Sequence, residues 1–287
     1  MFFLFAAFWV STLYAQPVKT WFPDSTLQSE GNLLAGQRSG QWKFYYDNGC
    51  LQSFGSYQSG QPEGVWYYYL RTGVLQKSGS FKSGIITGVW VFYYGDGKVS
   101  SRLNYENGLL NGPSWFFYPN GIVSKYGFYK NGKETDTWHY FDEKGRKTKS
   151  ESYRDGVLWG KKCEFAGDSV CTELSHYKAG KLQGPYFLYY EDGKFKTKGN
   201  FKQGVKRGIW YFYDTEGRLS MKAGFGSDGK WNGRWTEYGS NGRILSTGKY
   251  KSDLKKGKWI YYDRFGKVKK VEWYKNGKIY KEKLYVY

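Results

Sequence analysis

The feature that most restricts what this chain can fold into is a lattice of glycines. Gly60, Gly84, Gly108, Gly132, Gly156, Gly180 and Gly204 recur at a constant interval of 24 residues. Four residues after each stand Gly64, Gly88, Gly112, Asp136, Gly160, Gly184 and Gly208. The series opens with Gly36 and Gly40, and resumes at Gly233 and Gly257 after one extra residue near Gly226-Ser227-Asp228-Gly229. Trp42, Trp66, Trp90, Trp138, Trp210, Trp235 and Trp259 each follow the second kind of position by two residues. Tyr186 holds that place once, and Ser114 holds it where Trp115 stands one residue late. A fixed period of this length marks an array in which one supersecondary unit stacks on the next.

One unit, residues 40–63, reads GQWKFYYDNGCLQSFGSYQSGQPE. Its ring-rich run Trp42-Lys43-Phe44-Tyr45-Tyr46 predicts a strand, and Asn48-Gly49 predicts a two-residue turn with positive φ at both positions. A second strand ends in Gly-x-aromatic, as in Gly55-Ser56-Tyr57 and Gly79-Ser80-Phe81. Glycine inside a strand lets a neighbouring ring lie over bare backbone, so the Trp of one strand is expected to cover the Gly of its neighbour. Alternation puts Trp42, Phe44 and Tyr46 on one face, Lys43 and Tyr45 on the other. Aromatics make up 22% of residues within a hydrophobic set of only 40%, so the core must be built of rings. Counting back from Gly40 reaches Gln16, which gives eleven units over residues 16–287 with a closing strand near Lys283–Tyr287. The expected fold is all-β: a single domain of antiparallel β-hairpins in an elongated, twisted, single-layer array.

The pattern G-x-W-x-x-Y-Y-x-x-G-x-L-x-x-x-G-x-Y-x-x-G resembles the MORN repeat in its bacterial variant form, clearest over residues 40–135 and 184–280. Proteins of this kind include the YwqK-family antitoxins. The resemblance implies an array of antiparallel hairpins acting as a scaffold or partner-binding surface, in some cases antitoxin-like or membrane-associated.

Residues 1–15, MFFLFAAFWVSTLYA, are apolar, too short to span a bilayer, and end in a small residue before Gln16. They predict a signal peptide and an exported protein: periplasmic, outer-membrane-associated or secreted. The segment lacks a basic leader, and the competing reading is an apolar first strand or tail.

Chemistry-bearing constellations are scarce. His139 and His176 are the only histidines, and both read as substitutions within the repeat rather than a metal pair. No nucleophile-elbow, zinc-protease or phosphate-loop pattern occurs. Asp47, Asp96, Asp142, Asp192, Asp214 and Asp263 sit at turns, where backbone hydrogen bonding accounts for them. The expectation is a protein without catalytic residues, metal or cofactor. Cys163 and Cys171 lie in the most divergent unit, which has lost its Trp and whose packing is expected to be weak. They read either as a cross-strand disulfide or as two free thiols, while Cys50 has no local partner.

Charge is patterned as well. Lys+Arg 44 against Asp+Glu 25 gives +19. Lys82, Lys130, Arg154, Lys178, Lys202, Lys251 and Lys275 each follow the second-strand aromatic, forming a candidate polyanion-binding row. The plainer reading is that these cations keep a long sheet soluble and block edge pairing. Trp42, Trp66, Trp90, Trp210, Trp235 and Trp259 are expected in the core, with Tyr45, Tyr67, Tyr69, Tyr93, Tyr189 and Tyr211 as a candidate exposed aromatic face. Together these features predict an exported interaction scaffold with a protein partner. The alternative is an envelope protein binding anionic glycan or lipid head groups; nucleic acid is not expected for an exported chain.

Overall fold

The computed structural model describes residues 14–167 and 170–287. Among them are strands and turns and no helix, so the chain is all-β, a β-hairpin repeat array. The predicted signal segment lies outside the described residues apart from Tyr14 and Ala15, and the first strand, Gln16–Trp21, begins directly after it. The described residues divide into two compact units between Gly132 and Lys133. In the first, ten strands from Gln16–Trp21 to Val123–Lys130 pair antiparallel in chain order. In the second, the same meander runs from Lys133–Phe141 to Lys278–Leu284, with one strand interrupted at Gln183.

Two turn types alternate, and their places differ from the expectation. The corner at Asn48-Gly49 is a four-residue type I turn closed by a Gly bulge: Gly49 N donates to Tyr46 O at 2.9 Å, and only Gly49 has positive φ (+78°). Asn48 Oδ1 accepts from Cys50 N at 3.1 Å, whereas Asp142, Asp214 and Asp263 sit two residues earlier in the turn and each accept two backbone N–H groups. The turn with both central residues left-handed is the corner between units, as at Ser59 (φ 48°) and Gly60 (φ 76°). The turn corners are also tied to one another. Gly60 N donates to Arg38 O at 3.0 Å, and on the other edge Tyr46 OH donates to Tyr69 O at 2.8 Å.

The expected cover of Gly by Trp is present. Gly31, Gly55, Gly79, Gly199 and Gly248 lie under Trp42, Trp66, Trp90, Trp210 and Trp259, so close that a Cβ would fall inside the indole. The cause is a wide bulge. Ser78 pairs with Val91 and Ser80 with Thr87, so Gly88-Val89-Trp90 stand opposite Gly79 alone. Gly88 takes φ +66° to make the excursion. Trp90 Nε1 then donates to Ser80 O at 3.2 Å, and Phe81 meets the indole edge-on at 5.3 Å. These five Trp are buried, each removing roughly 200 Å² from water, or about 5 kcal/mol at ~25 cal/mol/Å².

Where the strand residue carries a Cβ, the bulge moves by one residue. Leu103, Glu151, Ser175 and Ala223 occupy the Gly position of their repeats. There the excursion glycines are Gly112, Gly160, Gly184 and Gly233, with φ between 101° and 110°. Leu103 pairs directly with Ser114, Glu151 with Lys162 and Ala223 with Trp235. Trp235 is accordingly half-buried, not core as expected, and no indole lies over backbone in these repeats.

Candidate functional site

The loss of Trp from the divergent repeat is matched by a charged substitution across the strand pair. Lys162 stands in the Trp place and Glu151 in the Gly place, 3.5 Å apart. Lys149 reaches the same carboxylate at 3.1 Å and Tyr153 OH donates to it at 2.9 Å. The arrangement recurs at Glu272, with Lys270 at 2.6 Å and Tyr274 OH at 2.6 Å. Both carboxylates are buried. Burial pushes each up, and the opposing lysine and tyrosine hydrogen bonds outweigh it, holding Glu151 below the usual carboxylate range and Glu272 at about 2. With every partner inside the cluster, these groups are structural pairs, not free acids. Cys163 and Cys171 are joined by a disulfide in the same repeat, Cα–Cα 6.0 Å, although Cys171 pairs in register with Phe165. Cys50 is a half-buried free thiol.

The seven cations of the predicted row are all exposed, and each is the last residue of its strand, directly before a left-handed corner. Lys82 and Lys130 belong to the first unit; Arg154, Lys178, Lys202, Lys251 and Lys275 belong to the second. Arg154 and Lys178 are engaged over one ring, at 4.4 and 5.7 Å from the Trp159 centroid. Sequence reasoning missed a second cation set, four residues before a Trp: Arg38, Lys206 and Lys255 lie 4.7, 4.4 and 4.3 Å over Trp42, Trp210 and Trp259. The constant offset from Trp was the available signal. Burial lowers the ammonium pKa of Lys206 and Lys255.

The six tyrosines expected as an exposed face are half-buried. Phe54 stacks on Tyr67 at 4.7 Å, Phe195 on Tyr189 at 4.9 Å, Lys198 lies 5.4 Å over Tyr211, and Tyr45 OH donates to Glu30 at 2.8 Å. Burial, with Glu30 adding to it, pushes Tyr45 up to about 12. Tyr67, Tyr69 and Tyr189 thus stack with neighbouring rings, while Tyr45 and Tyr211 meet charged side chains. Exposed rings lie elsewhere, and one that the expectation left out interrupts the lattice itself. Trp115, displaced by one residue from the lattice, points to the face opposite the buried Trp row, because successive strand residues alternate. It is 38% exposed, stacks on Tyr126 at 4.5 Å, and pairs across the sheet with exposed Arg102. Phe128, opposite Pro113, is 43% exposed, and Val89 is 52% exposed on the same face. Ser114 fills the vacated core place, fully buried.

His176 Nδ1 is 2.9 Å from Pro185 O, and His139 is half-buried, its pKa lowered by burial and then by Lys147. Among the described residues no group of three or more His, Cys, Asp or Glu is placed to hold a metal.

The MORN repeat variant model matches residues 38–59, 86–107 and 182–203. Each segment spans one hairpin, from the Trp-bearing or Tyr-bearing strand through its turn to the strand that follows, so the matched units are the ones described above. No curated protein matches the chain. Among solved structures, the crystal structure of TcdB2-TccC3 is similar at 10% identity and a TM-score of 0.17, over 90% of this chain and 18% of that one. The chain thus spans under a fifth of that protein's length.

Proposed function

We propose that this MORN-type repeat protein is a non-catalytic scaffold that works outside the cytoplasm and offers the open face of its first unit to a protein partner. The observation that carries the reading is the displaced Trp115. The repeat places every other indole of the first unit's lattice in the core, whereas this one sits on the opposite face between Arg102 and Tyr126, beside Phe128 and Val89. Trp, Tyr and Arg are the residues that anchor protein interfaces. The apolar segment Met1–Ala15 and the Cys163–Cys171 disulfide support an oxidising, exported setting. The antitoxin-like role implied by the resemblance is the special case in which the partner is a toxin met in that compartment.

The test is affinity capture from envelope extract with the full chain and with Trp115→Ala, washed across a salt series. The reading expects a protein retained at high salt by the wild type and lost, by more than tenfold, from the variant. Retention by both, or elution of everything by salt, overturns it. A second reading, capture of anionic glycan or lipid head groups by the strand-end cations, is favoured by the exposure of that row. It predicts binding that falls steeply with ionic strength.

A further inference from the structure

Three strands of the second unit, Trp231–Tyr238, Ile244–Lys251 and Leu254–Tyr262, carry a charge pattern that works against the sheet itself. Arg234 pairs directly with Lys249, and Lys249 pairs directly with Lys256. Like charges directly opposite across a ladder are destabilising, and here two such pairs run in succession. Single like-charge pairs occur elsewhere, as Lys178 with Lys181 and Lys275 with Lys278 beside the corners, whereas here two in succession join three adjacent strands away from the corners. The three cations are exposed and line a groove of about 870 Å³, together with Lys222, Lys251 and Lys258. No carboxylate lines it. The nearby acids are engaged elsewhere: Glu237 accepts from Ser246 Oγ at 3.0 Å, Asp253 accepts from Trp231 N at 2.7 Å, and Glu272 belongs to the cluster with Lys270. A second groove of about 810 Å³ shares Lys251 and Lys256 and adds Lys255 and Lys275.

We infer that this groove holds an acidic polysaccharide, its anionic groups lying along Arg234, Lys249 and Lys256. Destabilising charge retained without a protein partner is the mark of a site kept for binding. The cations step once per strand, about 4.8 Å, which is close to the rise of one sugar in an extended chain of uronic acids. The exposed Asn232 supplies a neutral group for hydroxyls between the charges. Successive bases would need several free rings to stack on, and of the groove's two tyrosines Tyr250 is already packed against Trp231, Trp235 and Trp259, which leaves Tyr238 alone. A bilayer surface is flat, while these cations converge in a concavity. The inference goes beyond the second reading above: it shares the premise that cations of this chain hold a polyanion but assigns the role to a groove in which only Lys251 belongs to the strand-end row.

The experiment is calorimetric titration of the full chain with hexagalacturonate at low and at physiological salt. Maltohexaose, a single-stranded oligodeoxynucleotide and phosphatidylglycerol vesicles are run beside it. Hexagalacturonate is expected to bind, to weaken as salt rises, and to weaken about tenfold in Lys249→Gln. The thermal midpoint of that variant should be equal to or above wild type, since a like-charge neighbour has been removed. Lys144→Gln, the same charge change at a distant turn, should leave affinity within twofold. An affinity unchanged by Lys249→Gln overturns the groove, and if Lys202→Gln weakens binding instead, the strand-end row stands in its place. Absence of hexagalacturonate binding at low salt overturns both. Tighter binding of the oligonucleotide or the vesicles overturns the polysaccharide in favour of that ligand.

Discussion

Replacing Gly79 by Ala tests the central packing device. A Cβ at this position falls inside the Trp90 indole, so the ring must leave. The chain already contains the arrangement expected to replace it: at Ala223, Trp235 pairs directly across the strand, the bulge lies one residue earlier, and the indole is half-buried. Gly79→Ala should therefore convert the Trp90 repeat to the Trp235 form. The lost Nε1 bond to Ser80 O costs about 1 kcal/mol. Exposing about a fifth of a roughly 200 Å² ring costs about 1 kcal/mol more, and Ala recovers about 0.5 kcal/mol of backbone entropy. The net is a local loss of about 1–2 kcal/mol. Because stability in an array is local, the assay is amide hydrogen exchange over Leu75–Lys82 and Ile85–Tyr93, where exchange should quicken about 5- to 30-fold. Trp90→Ala supplies the cycle. With no indole to displace, Gly79→Ala should cost nothing or stabilise slightly, a coupling of about 2 kcal/mol. Equal cost in both backgrounds would refute the steric account.

Two further outcomes follow from the polar substitutions. Glu272 has a folded-state pKa of about 2, below its ordinary 4.5, so it contributes stability that is full above about pH 5 and is lost as pH falls toward 2, at most about 3 kcal/mol. Urea unfolding of wild type and Glu272→Gln between pH 2 and 6 should show the difference shrinking to zero at the acid end, and a pH-independent difference would contradict it. Reducing the Cys163–Cys171 disulfide releases a short loop worth about 2.5 kcal/mol of chain entropy. Exchange over Val157–Ala166 and Val170–Lys178 should accelerate on reduction while that over Leu75–Lys82 stays constant.

Much of this fold is legible in residue order because its contacts are periodic. Trp66 over Gly55 could be read from spacing, since Gly is needed wherever a ring lies against backbone. The turn types could not be assigned by the same reading. Asn48-Gly49 suits either hairpin turn, and only the loop length fixed by the pairing of Tyr45 with Leu51 selects type I with a bulge. The tyrosines expected to be open face cross-strand rings such as Phe54 and Phe195, whose partnership depends on register. Trp115 was visible as one residue out of step, and strand alternation converts that single step into a change of face.

Sequence alone determined the period, the strands and the pairing of ring with glycine, because each follows from spacing within one repeat. Tertiary structure alone decided where each bulge falls. That place depends on whether the residue on the preceding strand eleven positions before the Trp place, or twelve before Trp235, has a Cβ, and steric contact across strands answers only when both are in position. The ordinary hairpin pairing and the bulge at Gly248 set Arg234, Lys249 and Lys256 side by side and so gather the charge that the linear order keeps apart.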